Sequence, residues 1–215
     1  MERPCRIHKA VYLALVRIWA WFGQGSNYFL PVRGLVEVVA KDYFPSHQTG
    51  FVRGRSIYEP ILKVASWACA DKGSVCLLDF EKAYDRVQHQ WLFDCLQAAG
   101  LPRVFISFLQ AAFHGASIQV VANGKLSKRL KVTSGVRQGD PLSPLLFNFA
   151  IEPLLLSLEN GGVRVQGHAD DTALGITNPS QAMYASKTLT GYEGASGMLL
   201  NRSKSVVLAD PLLAS

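Results

Sequence analysis

Three aspartates stand where chemistry could be done. Asp79 ends the apolar run of residues 73–78 (G-S-V-C-L-L), and Asp170 and Asp171 sit in residues 168–174 (H-A-D-D-T-A-L) between two short apolar segments. A run of the first kind reads as a buried strand that delivers the chain onto Asp79. The second pattern reads as a tight hairpin with acids at its tip. Carboxylates gathered from strand ends can hold two divalent cations about 3.5–4 Å apart, an arrangement that activates an attacking hydroxyl and stabilises a departing pyrophosphate. Taken singly the aspartates carry little, because an Asp at a strand end is more often a turn former or a helix cap.

The elements that must position these acids show both periodicities, short and without repeats, as in an α+β layer fold. Val87, Trp91, Cys95, Leu96 and Ala99 recur at helical spacing and stop at Gly100, with Pro102 just beyond. A second helix over about residues 102–114 carries Phe105, Phe108, Leu109, Ala112 and Phe113 on one stripe. Residues 118–122 and 126–132 flank Asn123-Gly124, the dipeptide that best supplies two positive-φ residues, so a hairpin is expected. Its return side carries Lys125, Lys128, Arg129 and Lys131, either a solvated face or a contact for a nucleic-acid backbone. Residues 134–144 (S-G-V-R-Q-G-D-P-L-S-P) form a loop, and residues 145–158 form a long apolar helix whose N-terminus is of the kind that can hold anions.

Composition narrows the partners without naming one. The 215 residues are 49% hydrophobic, enough for one sizeable core and one domain. Lysine and arginine outnumber acids 22 to 16, a formal charge of +6, which suits a phosphate-bearing partner but also plain solubility. Cys5, Cys69, Cys76 and Cys95 show neither a C-x-x-C pair nor a histidine at zinc spacing and read as core thiols of an intracellular protein. The apolar stretch of residues 11–22 is too short to span a membrane and reads as an amphipathic leader helix or a signal peptide.

Five blocks, taken in order, go further. Residues 77–87 (L-L-D-F-E-K-A-Y-D-R-V) and residues 135–144 (G-V-R-Q-G-D-P-L-S-P), the latter running into Phe147-Asn148, are the most specific. Ala169-Asp170-Asp171, residues 201–205 (N-R-S-K-S) after a helix, and upstream Gln48-Thr49-Gly50-Phe51 to Gly54-Arg55-Ser56 complete the series. Over roughly residues 48–208 the chain resembles the reverse transcriptases of non-LTR (LINE-type) retrotransposons. His168 departs from that pattern, which has an aromatic residue, usually Tyr or Phe, before Ala-Asp-Asp.

The resemblance implies the fingers and palm of a right-hand polymerase, with an antiparallel palm sheet backed by helices and the thumb absent. It implies an RNA-directed DNA polymerase core that uses two Mg²⁺ ions, or Mn²⁺ in their place, with an RNA template, a DNA primer and deoxynucleoside triphosphates as partners. Asp79 and Asp170 would be metal ligands, Asp171 would complete the acidic cluster, and the carbonyl of Phe80 would help bind the nucleotide's metal. Tyr84 would be the steric gate against a 2′-hydroxyl, and Gln138 and Gly139 the floor beneath the nascent pair and template. Arg55 would meet the triphosphate. Lys204 would be the general acid for the pyrophosphate, or else a surface lysine. The implied location is intracellular, nucleus or cytoplasm, with no membrane; the oligomeric state is left open.

Residues 1–47 match poorly and are expected to form a leader with partial fingers, ahead of a core over residues 48–215. Only residues 163–169 separate Gly162 from Asp170, where relatives place a turn and a whole additional strand. A deletion near residues 160–168 is therefore expected, with the strand that holds Asp170 opposite Asp79 lost or shortened, in a truncated copy. An inactive relic with at most weak nucleic-acid binding remains an alternative, as does a group II intron or bacterial relative. A nucleotide cyclase also uses strand-end aspartates, but the block Arg137 to Pro144 looks template-directed and argues against it.

Overall fold

The computed structural model describes residues 33–34, 36–37, 40, 42–69, 73–137 and 139–208. Residues 11–22, Cys5 and Gln138 lie outside the described residues, as does most of the expected leader. In chain order the elements are helix α1 (Tyr58–Ala68), strands β1 (Ser74–Leu78) and β2 (Phe80–Glu81), and helices α2 (Ala83–Arg86), α3 (His89–Ala98) and α4 (Arg103–Phe113). The two-residue strands β3 (Ser117–Ile118), β4 (Val121–Ala122), β5 (Lys125–Leu126) and β6 (Leu130–Lys131) follow. Helix α5 (Ser143–Asn160), strands β7 (Arg164–His168) and β8 (Asp171–Ile176), helix α6 (Pro179–Ser196) and strands β9 (Leu199–Leu200) and β10 (Val206–Leu208) complete the series.

One antiparallel sheet of order β10-β1-β8-β7 organises these elements. Its register sets Cys76 beside Leu174 and Leu174 beside Val165. Because side chains alternate across a pleat, those three share one face, and that face joins the main core. α5 is the spine of that core: Leu145, Phe147, Ile151, Leu154, Leu155 and Leu158 on it are fully buried. It runs beyond the expected residues 145–158 at both ends, with Pro144 in its first turn, where a missing N–H costs nothing. Near the interior Pro153, the Ala150 carbonyl accepts from Trp91 Nε1 at 2.9 Å and from Tyr192 Oη at 3.0 Å. That one carbonyl ties α3 and α6 to the spine.

β1 is less buried than its apolar run predicts. Only Val75 is fully covered, and Leu77 is 40% exposed. The physical reason is topological: β1 is flanked on one side by β10, an edge strand whose three residues are all exposed. On the face opposite the core, α1 covers part of the sheet: Trp67 lies against Gly175, and the Arg164 guanidinium sits over the Trp67 ring at 5.3 Å. Of the described cysteines only Cys95 is buried; Cys69, at the C-terminal end of α1, is exposed.

Local signals placed several elements correctly. Asn123 and Gly124 both adopt positive φ (51° and 75°), and β4 pairs with β5 across them. α4 buries Phe105 and Leu109 of its expected stripe, with Phe108, Ala112 and Phe113 half-buried, and also buries Ile106, which lay outside that stripe. α6 is weakly amphipathic and held mainly by Ala185, Tyr192 and Ser196, with Asn178 capping its start and Gly197 at φ 77° ending it. Gly191 in α6 is exposed, and a methyl group there would meet nothing within 4 Å. Gly191→Ala should therefore stabilise the fold by about 0.5–1 kcal/mol through helix entropy alone, read as a higher urea midpoint at constant slope.

The interval before the acidic turn keeps a strand, so of the two expected outcomes, loss or shortening, outright loss does not occur. It holds β7, a five-residue strand paired along its whole length with β8, from Arg164↔Gly175 to His168↔Asp171. Val163, Val165, Gln166 and Gly167 are buried there, so α5 supplies the packing that holds the strand in place. The strand that supports Asp170 is thus present, although the expected loss placed it at risk.

Candidate active site

β7 and β8 join through a two-residue turn, Ala169-Asp170, with Ala169 buried and at φ 59°. A positive φ is costly for a residue with a side chain, so something must hold it. Across the sheet the register ends with Leu78 paired to Thr172, the neighbours of Asp79 and Asp171 in the chain. Asp79 and Asp170 are half-buried and Asp171 is exposed. Burial, and then the negative charges of Asp171 and Asp79, push the Asp170 carboxyl above its usual range, against lowering by a backbone N–H and by His168. The three aspartates therefore share one electrostatic field, brought together by register across β1, β8 and the turn.

The backbone of Asp79 is clasped from the far end of the chain. Its carbonyl accepts from Asn201 N at 2.7 Å, and its N–H donates to Ser205 Oγ at 3.1 Å, which itself donates to the Asn201 carbonyl. Sequence reasoning placed residues 201–205 near the chemistry through Lys204. The side chain of Lys204 is exposed, whereas Asn201 and Ser205 make the contacts. The signal that could have singled out Ser205 is a small hydroxyl just before an edge strand, too common to identify a partner in advance.

Phe80 is buried, pairs with Leu200 and meets the Tyr192 ring edge-on at 6.4 Å. Lys82 at φ 48° then turns the chain into α2, which carries Tyr84. The Tyr84 ring stacks on Phe147 of α5 at 4.5 Å and 13°. Its hydroxyl pKa is pushed up to about 12, by burial first and by the Asp170 charge second, so this ring lies within the field of the acidic cluster.

The loop before α5 wraps α2. Val136 N donates to the Tyr84 carbonyl and Gly135 N to that of Val87, both at 2.8 Å, and Ser134 Oγ donates to that of Asp85. Gly135 cannot be replaced without cost: it sits at φ 89°, and a Cβ would fall 2.7 Å from the Asp85 carbonyl oxygen. Gly139 is exposed, at φ 88°, with open space where a side chain would be. Asp140 Oδ1 accepts from Leu142 N at 2.8 Å and so shapes the entry to α5.

The upstream segment, residues 44–55, packs against the other edge of the sheet. Gln48 bridges to Gly167 in parallel, Thr49 N donates to the Gly167 carbonyl at 2.9 Å, and Gly167 N donates to that of His47 at 2.7 Å. Thr49 Oγ1 also lies 3.1 Å from His168 Nδ1. Arg55 directs its guanidinium into this segment, donating to the carbonyls of Phe44, Pro45 and Gln48. Buried His47 sits between Glu152 (3.0 Å) and Glu159 (3.2 Å) of α5. Those carboxylates raise its pKa against the lowering effect of burial, while burial raises that of Glu152. Nothing in the sequence marks this pair, because Glu152 reads only as a polar break in an apolar run.

Residues 31–212 match the family model described as "Reverse transcriptase (RNA-dependent DNA polymerase)". The chain is similar to the "Transposon TX1 uncharacterized 149 kDa protein" of Xenopus laevis, 33% identical over 187 residues, covering 80% of this chain and 14% of that protein. It is 31% identical over 147 residues to the "Retrovirus-related Pol polyprotein from type-1 retrotransposable element R2" of Popillia japonica, covering 63% of this chain and 21% of that protein. It is 26% identical over 158 residues to the "RNA-directed DNA polymerase from mobile element jockey" of Drosophila funebris, covering 69% of this chain and 17% of that protein. The chain thus spans only a small part of these relatives. Among solved structures, apo telomerase from Candida tropicalis shares the fold at TM-score 0.67 and 14% identity, covering 88% of this chain and 45% of that one. Telomerase from Candida albicans, in complex with a fragment of telomeric RNA, superposes at TM-score 0.65 and 15% identity, covering 84% and 34%.

Proposed function

This chain belongs to the reverse transcriptase (RNA-dependent DNA polymerase) family, and its relatives are non-LTR retrotransposon proteins; on that premise we propose that Asp79, Asp170 and Asp171 form its nucleotidyl-transfer centre. The reaction extends a DNA primer 3′-hydroxyl on an RNA template with deoxynucleoside triphosphates. What supports this reading is that the paired strands end beside all three aspartates, at Leu78↔Thr172 and His168↔Asp171, with the charges of Asp171 and Asp79 acting on Asp170.

The donor set suits two Mg²⁺ ions, or Mn²⁺ in their place. Carboxylate oxygens are the hard ligands these ions take; burial first, and the charges of Asp171 and Asp79 after it, raise the Asp170 carboxyl, and a bound cation would offset those charges. Among the described residues no three or more His, Cys, Asp or Glu side chains close into a cage. Mg²⁺ is commonly held by one or two carboxylates plus substrate phosphates, so no such cage is required. Asp79 and Asp170 would hold the ions, with Asp171 and the Phe80 carbonyl beside them. When bound, the pair supplies an activated attacking hydroxyl and a neutralised pyrophosphate.

The protein's own groups do the rest. Asn201 and Ser205 hold the Asp79 backbone, so the carboxylate starts from a defined position. Tyr84, braced by Phe147 and neutral at ordinary pH, blocks the space a 2′-hydroxyl would need. Gln138 and Gly139 underlie the nascent pair, where an absent side chain admits close backbone approach. Lys204 is positioned in sequence to protonate the leaving pyrophosphate. Arg55 contributes through the segment it holds, since its guanidinium already serves three carbonyls.

The test is primer extension on a polyribonucleotide template with Mg²⁺ or Mn²⁺, using Tyr84→Ala beside the unmodified chain. Templated addition of deoxynucleotides is expected, and ribonucleotide use by Tyr84→Ala should rise at least about tenfold, equivalent to ~1.4 kcal/mol of lost discrimination. A folded chain that extends nothing with either metal would instead be an inactive relic. Unchanged sugar selectivity in Tyr84→Ala would remove the gate.

A further inference from the structure

The Ala169-Asp170 turn needs a restraint, and a side chain 121 positions away supplies one. Gln48 is fully buried, and its Oε1 accepts both Ala169 N at 3.1 Å and Gly50 N at 2.9 Å. Both partners are N–H donors, so only the oxygen end of the carboxamide can serve them. Ala169 N belongs to the residue held at φ 59°, directly before Asp170. The surroundings leave the amide little freedom. A Cβ on Gly167 would come within 3.3 Å of Gln48 Nε2, the Gly50 carbonyl accepts from Asn148 Nδ2 at 2.5 Å, and a Cβ on Gly50 would fall 2.1 Å from Ala169 N.

We infer that Gln48 is a positioning residue for Asp170: its carboxamide oxygen pins the Ala169 amide and thereby sets where the Asp170 carboxylate stands relative to Asp79. The inference rests on the proposed role of those aspartates and extends it to the upstream segment. Gln48 touches no reacting atom. It acts through one hydrogen bond to the backbone of the turn, and the Gly50 bond fixes the rotamer that makes this possible. Thr49, bonded to the Gly167 carbonyl and His168, holds the strand that leads into the turn.

The experiment compares Gln48→Met, which removes the acceptor at similar length, with Gln48→Glu, which keeps an oxygen in place. Three readouts are taken on the full chain: amide hydrogen exchange resolved by residue, Mn²⁺ affinity by titration, and primer-extension kinetics. In Gln48→Met, exchange at Ala169 should rise about tenfold while Cys76 and Leu174 in the sheet interior keep their protection. Mn²⁺ affinity should fall ~10-fold, as when a group that orients a ligand is lost. The kcat should fall with KM for the nucleotide unchanged, and Gln48→Glu should restore most of each. If Gln48→Met does not fold, Gln48→Asn, whose shorter side chain cannot reach Ala169 N, carries the same comparison.

The inference is overturned if Ala169 exchange does not respond, if protection is lost equally across the sheet, or if Gln48→Glu is as damaging as Gln48→Met. It is also overturned, with the polymerase reading intact, if the unmodified chain binds Mn²⁺ through Asp79 and Gln48→Met binds it as tightly. A folded chain that binds no Mn²⁺ defeats the reading of the aspartates, and the inference with it.

Discussion

Asp79→Ala should abolish primer extension while leaving the fold in place. Losing a carboxylate that holds a catalytic cation removes several kcal/mol of transition-state stabilisation, which is ~10³-fold or more in rate. The backbone has its own reasons to stay. Asp79 is held through its carbonyl and N–H by Asn201 and Ser205, not through its side chain, and β1 is paired on both sides. Circular dichroism and the urea midpoint should therefore match the unmodified chain, whereas extension with either Mg²⁺ or Mn²⁺ should fall to background. Retained synthesis in Asp79→Ala would show that the three carboxylates are not the reacting centre.

Gly50→Ala is expected to act on both stability and rate, from a residue that carries no functional group. The added Cβ would lie 2.1 Å from Ala169 N and 2.8 Å from the His168 carbonyl carbon. Both are backbone atoms, so no flexible side chain can move aside. Overpacking of this kind costs about 1–3 kcal/mol. Relief can come only by shifting the upstream segment or the Ala169-Asp170 turn. A displacement of about 1 Å at the turn would cost ~10²-fold in extension rate. Gly191→Ala is the matched control, adding the same methyl in open space on α6. A Gly50→Ala protein that melts with the unmodified chain and retains its rate would show that the segment does not bear on the turn.

The two variants also separate two kinds of legibility. Asp79 could be singled out from the sequence only through the order of the motif blocks and the resemblance they carry, since an Asp at a strand end taken singly says little. The importance of Gly50 could not, because it depends on an approach to Ala169, more than a hundred residues away in the chain. The same holds for Arg55: the sequence predicts a partner in the triphosphate, but the folded segment turns its guanidinium onto three carbonyls. His47 with Glu152 is a further case, 105 positions apart and fully buried. β1 shows the limit for burial: an apolar run predicts a strand, yet how much of it is covered depends on its neighbours, and here one neighbour is an exposed edge.

By itself the sequence determined the elements with local physical causes. The Asn123-Gly124 turn needed two residues tolerant of positive φ; α3 and α4 needed apolar spacing and a stop; the acidic turn needed two short strands around it. The order of the motif blocks indicated the family, because each block keeps its place relative to the others. The tertiary structure decided which distant groups share a place. It paired Leu78 with Thr172 beside the aspartates, stacked Tyr84 on Phe147, closed residues 201–205 onto the Asp79 backbone and directed Gln48 at Ala169. Those contacts depend on strand register and on the packing of α5. A one-residue slip in register would turn every side chain of a strand to the other face, and no local pattern in the chain encodes the partner's identity.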